Sequence, residues 1–179
     1  TDLAAYGLGW EWFTLGDLDL ATHLARTELL RAGQPLSSVT ERLASRWRPG
    51  VRLLPMSDEA VDLHVELADG RLIHFEEWWV RHHATVPARR FVQVGLAGAA
   101  PAPGVLDALA RADVVVLPPS NPVVSVGTIL AIPGIRDAVR DAPAPVVGIS
   151  PVIGGAPVRG MADACLTAIG VETSAAAVA

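Results

Sequence analysis

The sequence predicts an α/β protein: a Rossmann-like parallel sheet with an inserted helical pair and a β-hairpin subdomain. Three observations carry this. Asp113 to Leu117 and Pro145 to Ser150 are short runs rich in valine and isoleucine, the pattern of parallel strands buried on both faces. Between them, Val124 to Arg140 is interrupted by Gly127, Pro133 and Gly134 and ends in the helical run Ile135 to Arg140, which makes a strand, crossover, strand unit. Upstream, Val61 to Leu67 alternates apolar and polar residues strictly, and Asp69-Gly70 closes a hairpin with Arg71 to Phe75.

The other elements follow in chain order. Thr14 to Gly33 reads as a helix with Asp17 or Asp19 near its start, Gly33 at its end, and Leu20, Leu24 and Leu29 as a buried stripe. After the break at Gln34-Pro35, Ser37 to Arg46 reads as a second helix, and Ser37 or Ser38 followed by Thr40 and Glu41 resembles a capping box. Val51 to Met56 is strand-like. Phe75 to Arg81 places Trp78 and Trp79 side by side, Phe91 to Leu96 reads as a strand, and Gly104 to Arg111 and Met161 to Ile169 as helices. Residues 1–50 then form a helical insertion, and residues 51–179 an α/β core with its hairpin. The chain starts at Thr1 without an evident first strand of a doubly wound sheet, and Ala175 to Ala179 ends in an apolar segment. It therefore reads as a piece of a longer protein, with part of the core to be supplied from upstream.

Composition narrows the function classes. The 179 residues, 51% hydrophobic and 18% charged, are enough for one domain with a substantial core. A net charge of −5 without a basic stripe argues against a nucleic-acid binder. All 14 basic residues are arginine, which excludes lysine-based catalysis within this chain. One cysteine, Cys165, excludes an internal disulfide and any CxxC metal site, and its apolar helical setting marks a core residue. Every apolar run is cut short by proline, glycine or charge, so neither a signal peptide nor a membrane span is predicted, and the chain reads as cytoplasmic.

The strand ending at Leu117 runs into a loop, Pro118 to Thr128, in which Pro118, Pro119 and Pro122 fix φ at three places. Ligands of open α/β sheets sit at the carboxyl ends of such strands, so Ser120, Asn121 and Ser125 are ligand candidates. A helix beginning near Ser125 would aim free N–H groups and a positive dipole end at the crevice, which favours phosphate or a nucleotide. The alternative is plain turn chemistry, and neither GxGxxG nor GxxxxGK[ST] occurs. The second run ends similarly, in the small, glycine-containing loop Pro151 to Gly155. Asp17, Asp19 and His23 have a spacing that could ligate a metal, or they form an acidic helix start with a histidine at its flank. Ser57 and Asp58 follow a strand and could face a ligand or make a turn. His82 and His83 beside Arg81 read as a solvated patch, since strand neighbours point oppositely. Trp78 and Trp79 could stack on a flat heterocycle or pack in the core. No nucleophile elbow occurs, which disfavours covalent acyl catalysis.

Five separated motifs point one way when taken in order: Trp12-Phe-Thr-Leu-Gly-Asp-Leu-Asp-Leu-Ala-Thr-His23 with Arg26-Thr27; Leu53-Leu-Pro-Met-Ser-Asp58; Phe75-Glu-Glu-Trp-Trp-Val-Arg81; Pro119-Ser-Asn-Pro-Val-Val-Ser-Val-Gly127 with Ala131-Ile-Pro-Gly-Ile-Arg136; and Ser150-Pro-Val-Ile-Gly-Gly155. Together they resemble the 2-phospho-L-lactate transferase family of deazaflavin coenzyme F420 biosynthesis. Glu76 departs from it, standing where the family pattern has glutamine. The resemblance implies a magnesium-dependent transfer of a phospholactyl or phosphoenolpyruvyl group from a guanosine diphosphate-linked donor to the ribityl hydroxyl of a deazariboflavin acceptor, releasing GMP. It implies that Ser120, Asn121, Ser125 and Gly127 hold the donor nucleotide. It likewise implies that Asp17 and Asp19 are catalytic and orient metal or acceptor, that Met56, Ser57, Asp58, Trp78 and Arg81 border the acceptor, and that Arg26 or Arg81 offsets diphosphate charge. Further metal ligands are expected upstream of Thr1, and a homodimer is compatible with the resemblance. A different class of function, a nucleotide-sugar-binding regulator on a similar sheet, is the competing expectation.

Overall fold

The computed structural model describes residues 5–178. Helix α1 spans Asp17–Arg31 and α2 spans Leu36–Trp47. The first begins with Asp17 and Asp19 in its opening turn, where carboxylates oppose the helix dipole favourably, and Asp19 accepts the Gly16 N–H at 3.3 Å. Gly33 ends it at φ 81°, a conformation that costs glycine nothing. The two helices pack on each other, but no α1 residue is buried and Leu24 is 64% exposed, so the expected stripe of Leu20, Leu24 and Leu29 does not form a core. The expected capping box is also absent. Pro35 occupies the cap of α2, and Ser37 instead donates its N–H (2.6 Å) and its hydroxyl (2.9 Å) to the two oxygens of Asp58. That carboxylate ties the helical pair to the segment 51–58, which has no ladder partner and so is not the strand its composition suggests.

Strands β1 (Asp62–Leu67), β2 (Leu72–His74) and β3 (Ala88–Val94) form an antiparallel sheet in the order β2-β1-β3. The predicted hairpin is present, and Asp69 steadies its turn by accepting the Arg71 N–H and Nε–H. Val65 lies opposite Ile73 on one side and Phe91 on the other. Val65, Leu67, Trp78 and Cys165 are the buried centre of the first core. Trp78 reaches it from a π-helical turn, Glu77–Arg81, and its indole N–H donates to the Val86 carbonyl at 2.8 Å. His82 closes that turn and His83 has φ 49°, so these histidines are not the strand neighbours their alternation suggests.

The second half is the strand, crossover, strand unit. Helix α3 (Val105–Ala110) precedes β4 (Val115–Leu117). A π-helical turn, Pro122–Val126, then leads through α4 (Gly127–Leu130) and α5 (Ile135–Arg140) to β5 (Val146–Gly148). Strands β4 and β5 are parallel, with Val115 opposite Val146 and Leu117 opposite Gly148. The architecture is thus mixed α/β with a parallel sheet. Burial on both faces is not observed: Val115 is buried, whereas Val114 and Val116 are 49% and 50% exposed, because no described element covers the face to which they alternate. A second core of Ala99, Ile132 and Ile135, flanked by Met56, Leu96 and Leu109, packs under the crossover. The minimal hairpin β6 (Val152–Ile153) and β7 (Ala156–Pro157) turns at Gly154 and Gly155, and α6 (Ala162–Ala168) carries Cys165 into the first core. Among the described residues no helix is long and apolar enough to cross a membrane.

Candidate active site

Because β4 and β5 run parallel, their carboxyl ends open on the same side. A cavity of about 310 Å³ lies there, lined by Leu117, Pro118, Ser120, Gly148, Ser150 and Pro151 among others. Its wall is held by Asn121. The Asn121 side-chain oxygen accepts the N–H groups of Val123 (2.9 Å) and Val124 (3.1 Å), and its main-chain oxygen accepts those of Ser125 (3.1 Å) and Val126 (3.0 Å). Its amide nitrogen donates to the Cys165 sulfur at 3.4 Å. Two further bonds fix the far end of the loop: Thr128 Oγ1 donates to the Val124 carbonyl, and Gln93 Nε2 donates to the Thr128 carbonyl, both at 3.0 Å.

This arrangement alters the expected source of phosphate contacts. The amides at the helix start near Ser125 are not free; the four N–H groups of residues 123–126 already have partners inside the turn. The Ser120 hydroxyl has no hydrogen-bond partner among the described residues and borders the cavity. The Ser150 hydroxyl also borders it but is engaged locally, donating to the Val152 carbonyl at 3.0 Å and accepting the Val152 N–H at 3.1 Å. Gly127 closes the π-helical turn; a Cβ there would stand 2.7 Å from the Pro122 carbonyl oxygen, so the backbone itself demands glycine. Burial pushes the Cys165 thiol up to about 11, with the Asn121 amide pulling the other way, so the thiol is neutral near pH 7 and is no nucleophile.

The remaining candidates are placed elsewhere. Ser57 is 2% exposed and donates to Glu59 at 2.6 Å; this bond first, and the Ala100 N–H second, hold the Glu59 carboxyl below its ordinary range. Met56 packs beside the second core, and Asp58 is committed to Ser37. Met56, Ser57 and Asp58 are thereby a joint between α2, the 51–58 segment and the loop at residues 99–102. Trp78 is a core residue whose ring is closed to solvent. Arg81 pairs with Glu77 at 2.9 Å and lines a separate aromatic pocket. Asp17, Asp19 and His23 are exposed on α1, and among the described residues no group of three or more His, Cys, Asp or Glu side chains is placed to hold a metal. Gln93, Gly148 and Cys165 line or brace the strand-end cleft without a sequence signal of their own. Ser150 had one, since its loop ends a second strand as Ser120's does.

The comparisons with known proteins agree with this architecture. The family model described as "2-phospho-L-lactate transferase CofD" matches residues 1–179. A phosphoenolpyruvate transferase of Thermobifida fusca is 64% identical over 99% of this chain and 56% of its own length. The corresponding figures are 62%, 99% and 56% for one of Kitasatospora aureofaciens, and 58%, 99% and 56% for one of Mycolicibacterium smegmatis. The chain thus spans a little over half the length of these relatives. A crystal structure of a UPF0052 family member from Bacillus halodurans aligns with TM-score 0.54 at 23% identity, over 68% of this chain and 38% of that one. A second crystal structure of the same protein gives 0.57 at 25% identity, over 82% and 47%. The chain belongs to the 2-phospho-L-lactate transferase CofD family.

Proposed function

We propose that this chain carries the strand-end half of a transferase site that moves a phospholactyl or phosphoenolpyruvyl group from a guanosine diphosphate-linked donor to the ribityl hydroxyl of a deazariboflavin, releasing GMP, in coenzyme F420 biosynthesis. The observation that supports it is the cleft at the ends of β4 and β5, where a braced loop presents the partnerless Ser120 hydroxyl to a cavity of about 310 Å³. In this reading Ser120 and the adjoining main chain hold the donor's phosphates, and Asn121 positions the loop from behind. Ser125 and Gly127 act through the same turn. The ribityl oxygen attacks the phosphorus that carries the three-carbon acid, a new P–O bond forms as the diphosphate P–O bond breaks, and GMP leaves with its negative charge while the hydroxyl proton passes to a base or to water. Such a reaction asks for positioning and charge stabilisation rather than a protein nucleophile, and neither Cys165 nor any lysine is available as one.

Magnesium belongs to this proposal. Sites for it commonly use one or two carboxylates with waters and substrate phosphates rather than an all-protein cage. Asp17 and Asp19, exposed on the first turn of α1, are the carboxylates proposed to orient the ion or the acceptor, although Asp19 also accepts the Gly16 N–H at 3.3 Å. When bound, the ion would offset charge on the donor diphosphate. The test is product formation. Full-length protein supplied with the guanosine diphosphate-linked donor, deazariboflavin and magnesium is expected to yield a phosphodiester-bearing deazaflavin and GMP in equal amounts by mass spectrometry. GMP release without the phosphodiester, or neither product with any three-carbon donor, sinks the proposal.

A further inference from the structure

A second cavity, of about 320 Å³, is lined by Trp10, Trp12, Phe13, His74, Glu76 and Arg81 together with Glu77. Its aromatic wall is unusual for a surface: the Trp10 and Trp12 rings stack with centroids 5.2 Å apart and planes 15° from parallel, Phe13 meets Trp12 edge-on, and Trp10 is 68% exposed. Single exposed apolar residues need no explanation, but a stacked pair with one face open to a cavity is a platform for another flat ring. The polar rim decides what kind of ring. Arg81 is neutralised by Glu77 at 2.9 Å, and the His74 Nδ1 accepts the Glu76 N–H at 3.2 Å. The Glu76 carboxylate has no hydrogen-bond or ion-pair partner among the described residues. An uncompensated carboxylate repels a phosphate and accepts strongly from N–H donors. The volume is ample for one ring system, and the carboxylate rim selects the ring end of a ligand over its phosphate end.

We propose that this pocket holds a planar heteroaromatic ring that presents an N–H edge, with Trp10 and Trp12 as the stacking wall and Glu76 as the acceptor of that N–H. Under the transferase reading, on which only the source of the ring rests, two rings have this chemistry: the pyrimidinedione edge of the deazaflavin and the guanine base of the donor. The pocket would hold the ring end of one substrate while its phosphate or ribityl end extends out of it.

Tryptophan fluorescence of the full-length protein titrated with riboflavin and with GMP, each beside its ring-N-methylated analogue, tests this without requiring turnover. At least one of the two rings is expected to bind, with its N-methylated analogue about tenfold weaker. Glu76→Met, which keeps the length of the side chain but offers no oxygen, should abolish that difference, and Glu76→Gln, which keeps a carbonyl, should preserve part of it. Trp10→Ala, at an exposed position where folding is not at stake, should weaken the same ring several-fold. The probe that shows the methyl effect identifies the substrate whose ring is held. The proposal is overturned if neither ring binds, or if the methyl penalty survives unchanged in Glu76→Met. A failed transfer reaction with the ring effects intact would count against the transferase reading alone.

Discussion

Replacing Asn121 by alanine separates building the cleft from touching the ligand. The Asn121 side chain accepts two backbone N–H groups, at 2.9 and 3.1 Å, and donates to the Cys165 sulfur at 3.4 Å. Loss of a cap of this kind costs about 1 kcal/mol and at most about 2 kcal/mol, and the bond to sulfur is a weak one that adds little. The substitution should therefore lower the unfolding free energy of the full-length protein by about 1–2 kcal/mol, read from urea denaturation with an unchanged slope. It should also weaken GMP binding, since the loop at residues 120–127 loses its brace. Asn121→Asp keeps an acceptor oxygen for both N–H groups and should recover most of the stability, though not the bond to Cys165. If Asn121→Ala abolished GMP binding while the unfolding free energy stayed at the wild-type value, the side chain would have to contact the nucleotide directly, and the bracing role assigned to it would be refuted.

Trp78 is 1% exposed at the centre of the first core, so Trp78→Ala should destabilise by about 3–5 kcal/mol; a thermal melt close to wild type would show that the indole is not the core residue described. Gly127→Ala brings a methyl group within 2.7 Å of the Pro122 carbonyl oxygen and should cost about 1–3 kcal/mol by forcing the turn open, which chemical denaturation will register; a neutral result contradicts the close approach. The Cys165 thiol, raised from 9.0 to about 11 by burial, keeps its proton after the unfolded chain has released its own. Its contribution to stability is complete below about pH 9 and falls as the pH rises from 9.0 to about 11, and Cys165→Ala should flatten that part of the stability–pH curve.

What could be read from the sequence was whatever rests on local pattern. The alternation from Val61 to Leu67 and the Asp69-Gly70 turn give the hairpin, and the valine-rich runs ending at Leu117 and Gly148 give the parallel pair. The uncovered faces of Val114 and Val116 escaped the pattern because a strand's composition does not say what lies over it. Likewise Leu24 belongs to a helical stripe, but among the described elements the main partner of α1 is α2, and Leu24 is left 64% exposed. Ser37 or Ser38 followed by Thr40 and Glu41 imitates a capping box; a carboxylate 21 positions away captured Ser37 instead. At the cleft, the Pro118 to Thr128 loop announced itself through its prolines and polar residues. Its internal wiring did not, because the bonds from Asn121 to Cys165 and from Gln93 to Thr128 span 44 and 35 residues. The platform of Trp10 and Trp12 was hidden for a related reason: Trp78 and Trp79 are the more conspicuous pair in sequence, and their π-helical turn sends Trp78 inward.

The central claim is that the donor nucleotide sits at the carboxyl ends of β4 and β5 with Ser120 against its phosphates. Calorimetric titration of GMP into the full-length protein and into Ser120→Ala tests it most directly. A hydrogen bond to a charged phosphate is worth about 1.5–3 kcal/mol, so the account predicts that Ser120→Ala binds GMP at least about tenfold more weakly while its unfolding free energy stays unchanged. Equal affinity of the two proteins for GMP would place the nucleotide elsewhere and contradict the account.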